Sequence, residues 1–81
     1  MRDELLEAIS QYLKGGIAKH KANVEVYLNQ TVGIGEHSDI IDTIEKELEL
    51  LSCYEDKLET LNKHFQLTSQ LGTKELLNEG T

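Results

Sequence analysis

Apolar residues recur at steps of three and four along most of the chain, the spacing of one face of an α-helix. The first stripe is Leu6, Ile9, Leu13, Ile17, His20, Val24, Tyr27 and Leu28, and it predicts a helix over about 2–30. Gly15-Gly16 falls inside it and costs about 2 kcal/mol relative to two alanines. The stripe keeps its phase across the pair. This favours one continuous helix in which glycine permits close approach of a neighbouring helix; the alternative is a break between Lys14 and Ile17.

A second stripe runs Ile40, Ile44, Leu48, Leu51, Tyr54, Leu58, Leu61, Phe65 and Thr68. Its spacing is close to a heptad repeat, the signature of helices that pack along their length, and it predicts a helix over about 39–71. Ser38 or Asp39 suits its N-cap, Asp39 and Asp42 suit its positive end, and Gly72 is a C-terminal stop. Between the helices Thr31–His37 forms a link. Gly33 and Gly35 can take positive φ there, while Val32 and Ile34 are apolar enough to fold back on the hairpin end. The link residues singled out are therefore Val32, Gly33, Ile34 and Gly35. Residues 1–72 make one hairpin and 73–81 a short C-terminal tail, in which Leu76 and Leu77 could support one weak turn.

Folded about the link, the stripes meet level by level: Leu28 with Ile41, Val24 with Ile44, His20 with Leu48, Ile17 with Leu51, Leu13 with Tyr54, Ile9 with Leu58 and Leu6 with Leu61. The expected fold is all-α, an antiparallel hairpin of two long helices. Lys14, Lys19 and Lys21 are expected beside Glu47, Glu49 and Glu55; such exposed pairs are worth only about 0.2–1 kcal/mol each and select the arrangement more than they stabilise it. A single seam leaves flanking apolar residues in water. Leu5, Val26, Ile41 and Leu50 are the expected interface of a homodimer, two hairpins pairing into a four-helix bundle.

Composition narrows the classes. The 81 residues form one domain, contain no proline and carry a net charge of −7. Proline would interrupt a helix, so its absence suits the stripes. The charge is uneven: Glu36–Glu59 holds nine acidic residues against Lys46 and Lys57. Such a surface repels phosphate backbones and anionic membranes, so no membrane partner is expected and nucleic acid is disfavoured. Cys53 is the only cysteine, which excludes an internal disulfide and suits a reducing compartment. The opening MRDELLEAIS has no apolar signal core.

Candidate chemistry is sparse. His20, His37 and His64 fall at the middle, the loop and the far end of the expected hairpin, too far apart to share a metal ion. His20 on the apolar face reads as a partly buried polar position that sets register. Cys53 lacks a neighbouring histidine or second cysteine and reads as a small apolar filler. Gly33-Ile34-Gly35 lacks the remaining glycine, the strand and the lysine of a phosphate loop, and the carboxylates of the second helix read as a solvated face. The expectation is a non-enzymatic protein without metal or cofactor.

Three runs carry a resemblance: H-x-x-N-V-E-V-Y-L from His20 to Leu28, V-G-I-G-E-H-x-D-I from Val32 to Ile40, and Y-x-D-K-L-E-x-L-x-K-x-F from Tyr54 to Phe65. Between Ile17 and Phe65 the chain resembles small helical proteins encoded by tailed bacteriophages, marine and cyanobacterial ones above all. It departs from them at Gln30-Thr31, where a proline is expected near the link. The resemblance implies a phage context, hence a host cytoplasm or the virion, and carries no site residues. The expected function is a self-associating helical interaction module, either a minor virion or assembly component or a binder of a host protein, with another phage or host protein as further partner. The alternative is a small regulatory RNA-binding hairpin dimer. A third idea, an acidic helix that mimics nucleic acid and blocks a host DNA-binding protein, rests on charge alone.

Overall fold

The structure, a computed structural model, describes residues 1–29 and 37–68, with side chains from residue 39 onward in the second segment. The link residues Val32, Gly33, Ile34 and Gly35, the stop at Gly72 and the tail 73–81 lie outside the described residues. Two helices account for nearly all of the rest: α1, Arg2–Leu28, and α2, His37–His64. They pack antiparallel against each other, and no strand occurs among the described residues. The all-α helical hairpin is therefore the fold. At about 1.5 Å per residue each helix spans about 40 Å.

α1 runs through Gly15-Gly16 without a break. The two glycines have different surroundings. A Cβ on Gly16 would sit 2.5 Å from Cδ1 and Cε1 of Tyr54, whereas one on Gly15 would meet nothing within 4 Å. Gly16 is thus the point at which α2 comes close enough to lay an aromatic ring on the α1 backbone. α1 ends at Leu28, where Asn29 closes it twice: its backbone N–H donates to the Glu25 carbonyl at 3.1 Å and its side-chain Nδ2 to the same oxygen at 2.7 Å.

α2 departs from expectation at both ends. It starts at His37, so Asp39 lies within the first turn and does not cap it, and its carbonyl accepts the Thr43 hydroxyl at 2.8 Å. It stops at His64, not near Leu71; the Phe65 N–H closes the last turn on Leu61 at 2.8 Å. The reason lies in α1. Its first residues stand level with the end of α2 and bind the backbone that follows it. Arg2 Nη1 donates to the Gln66 carbonyl at 2.9 Å. Asp3 Oδ1 accepts both the Thr68 N–H and the Thr68 hydroxyl at 3.1 Å. These bonds hold residues 65–67 out of the helix and across the open end. Phe65, expected on the seam, is 55% exposed.

The core is thin. Among the described residues only Leu13 and His20 are buried. Ile17, Val24, Ile44, Leu51, Leu58 and Leu61 are half-buried along the seam.

Candidate functional site

The most built part of the seam is polar. His20 is 6% exposed, and its Nδ1 donates to Glu47 Oε1 at 2.8 Å, a bond that becomes an ion pair when the ring is protonated. Asn23, one turn along α1, donates Nδ2 to the same oxygen at 2.7 Å. The imidazole stacks on Tyr54, with centroids 5.5 Å apart and planes at 25°. The far edge of Tyr54 meets the Tyr12 hydroxyl at 3.3 Å, and Lys57 Nζ stands 5.8 Å from its ring centroid. Every donor and acceptor buried in this cluster is paired.

The expected partner of His20 was Leu48. Glu47 takes that place, and Leu48 is 49% exposed. The physical reason is satisfaction: a buried imidazole needs an acceptor, and α2 is turned so that its one carboxylate within reach of the seam supplies it. From the sequence, Glu47 is expected beside the lysines on a solvated face, and Asn23 is given no role. The signal was present, since His20 and Asn23 are one turn apart on the same face and Glu47 stands level with them in the antiparallel register.

Of Lys14, Lys19 and Lys21, expected beside Glu47, Glu49 and Glu55, Lys19 stands near enough to Glu47 to help hold its carboxyl down. None of the three makes a direct ion pair among the described residues, where the pairs are Met1 with Glu4, Arg2 with Asp3 and, when its ring is protonated, His20 with Glu47. Cys53 is exposed and fills no part of the core.

A histidine held by a carboxylate is the activating half of general-base machinery. Here the ring is shut between two helices and stacked flat on Tyr54. Two grooves lie at the open end, one of about 470 Å³ lined by residues that include Lys14 and Asn62, the other of about 520 Å³ lined by residues that include Ile9 and Lys57. Neither reaches His20 or Glu47. The cluster holds the two helices in register.

Donation from His20, and then from Asn23, keeps the Glu47 carboxyl below the usual carboxylate range. Asp3 is lowered likewise, first by the Thr68 N–H. A carboxylate whose folded pKa is depressed contributes stability that is present above its unfolded pKa and lost as pH falls through the folded one. The hairpin is therefore expected to lose stability between about pH 5 and pH 3. Urea melts at those two pH values, read by circular dichroism, check this: Glu47→Gln should lose less over the interval than the parent, and equal losses would remove Glu47 from the explanation.

The four expected interface residues are all exposed: Leu5 54%, Val26 59%, Ile41 66% and Leu50 43%. They do not form one patch. Ile41 and Leu50 are about two and a half turns apart, so they project from opposite sides of α2, and Leu5 and Val26 share the flank of Leu50. No protein-family model, curated protein or solved structure matches the chain, and the site is read from its own geometry. No helix among the described residues is long and apolar enough to cross a membrane.

Proposed function

We propose that this chain is a non-enzymatic helical interaction module of a tailed phage, which self-associates and acts as a minor virion or assembly component or as a binder of a host protein. One observation carries the self-association. Among the described residues a single apolar side chain, Leu13, is buried, while Leu5, Leu28, Ile41, Leu48 and Leu50 are 43–66% exposed. A protein of this size closes a core of its own with difficulty, and pairing with a second copy is a common remedy. Fully burying an aliphatic side chain gains about 1.5–3 kcal/mol, and these residues have about half of that still to gain. Three on one flank of each of two copies contribute on the order of 5–9 kcal/mol, against roughly 4–15 kcal/mol of freedom lost on association. The expected product is a dimer that dissociates on dilution.

Sedimentation equilibrium at micromolar concentration tests this. A mass of twice the chain's 9.2 kDa, falling towards the monomer on dilution, is expected; a stable, fully helical monomer at every concentration would overturn it. Mass spectrometry of purified virions and of proteins captured from infected cells separates the virion role from host binding, and presence in neither removes the phage role.

A further inference from the structure

We infer that one flank of the hairpin, and not the other, is the seam between two copies, with the loop ends of both copies together and α1 of each lying on α2 of the other. This rests on the self-association proposed above and adds the face, the orientation and the residue pairs.

Residues seven apart fall close to one line along a helix. On one flank the α1 line is Glu7, Lys14, Lys21 and Leu28, and the α2 line is Ile41, Leu48, Glu55 and Asn62. Glu7, Lys14 and Asn62 line one groove together, which places both lines on the same side. All eight residues are exposed. Lys14, Lys21 and Glu55 make no ion pair among the described residues.

A two-fold axis parallel to the helices brings the α1 line of one copy onto the α2 line of the other at constant level. Leu28 then meets Ile41 of the second copy, and the aliphatic stem of Lys21 covers Leu48. The ammonium of Lys14 meets Glu55, and Glu7 faces the amide of Asn62. Each pairing occurs twice, as a closed two-fold interface requires. The acidic outer face of α2, with Asp42, Glu45, Glu49 and Asp56, stays in water. An axis across the helices would instead set the apolar, loop-proximal half of one copy on the charged half of the other.

The opposite flank offers no such match. Its lines are Leu5, Tyr12, Lys19 and Val26 on α1, and Thr43, Leu50, Lys57 and His64 on α2. They contain two lysines and no carboxylate, and the acids nearest these lysines, Glu47 and Asp56, belong to the same copy, so pairing through these lines would offer Lys19 and Lys57 no carboxylate across the seam.

Sedimentation of the full chain and its variants decides the matter, with circular dichroism confirming that each remains helical. Ile41→Glu should raise the dimer dissociation constant by about 100-fold or more, since it buries an unpaired charge, while Leu50→Glu should change it by less than about threefold. Lys14→Glu and Glu55→Lys should each weaken the dimer about tenfold, and together restore it to within about threefold of the parent. The charge exchange stands even if Ile41→Glu fails to fold. A dimer split by Leu50→Glu but not by Ile41→Glu, or one in which the exchanged pair gives no restoration, would overturn the face and orientation while leaving self-association intact. A monomeric parent chain would overturn both.

Discussion

Gly16→Ala is expected to destabilise the hairpin and Gly15→Ala to stabilise it, although the two residues are neighbours in one helix. Both substitutions gain about 0.5–1 kcal/mol of helix propensity. At Gly15 nothing opposes the gain, because the new methyl enters open space. At Gly16 it would stand 2.5 Å from two ring carbons of Tyr54 and 2.8 Å from a third. The ring cannot easily step aside. Its hydroxyl is bound to Tyr12, its face carries His20, and Lys57 stands near its centroid. Either the ring leaves these contacts or the helices separate, and overpacking of this kind costs about 1–3 kcal/mol. For a chain of this size about 1 kcal/mol corresponds to roughly 4–8 °C in Tm. Thermal melts followed by circular dichroism should show Gly15→Ala a few degrees above the parent and Gly16→Ala below it. In a Tyr54→Ala background the Gly16 penalty should vanish, because the clash has lost its partner. A penalty that persists there would mean that Gly16 matters for a reason other than the ring.

The second large effect is expected at His20. Replacing it with Leu keeps an apolar body on the seam but removes the donor, leaving the Glu47 carboxylate with Asn23 alone. Stranding one member of a buried polar pair costs about 1–3 kcal/mol. Glu47→Leu should cost a similar amount for the reciprocal reason, since both the His20 ring and the Asn23 amide then lose their acceptor. The double variant His20→Leu with Glu47→Leu should recover most of the loss, as replacing both partners by apolar groups is often close to neutral. Denaturant melts of the four proteins form the cycle that checks it. Additive losses in the double variant would show that the pair is not coupled, and that His20 contributes only by packing on Tyr54. Loss of the pair should also loosen register, because an apolar seam can slide by a turn with little change in burial.

The expected register survives in the cross-helix contacts. Arg2 reaches Gln66, Tyr12 meets Tyr54 and His20 meets Glu47, all near the levels at which the two stripes were matched. Recurrence at three and four is a property of neighbouring residues on one helix, and antiparallel matching follows once two such stripes are joined by a short link. For that reason the two helices, their order, their seam and the passage of α1 through Gly15-Gly16 were all legible in the chain itself.

The remaining features depend on where one helix stands relative to the other, which no local pattern contains. Leu48 and Glu47 are adjacent, and a small rotation of α2 decides which of them faces His20; the need of a buried imidazole for an acceptor made it Glu47. Where α2 ends was set by the first residues of α1, through the bonds of Arg2 to Gln66 and Asp3 to Thr68. Ile41 and Leu50 looked like members of one apolar margin along the chain, yet they project from opposite sides of α2. A stripe tells only that a residue lies beside the seam. On which side it lies is decided by the placement of the second helix, and with it whether its neighbours are Lys14 and Glu55 or Lys19 and Lys57.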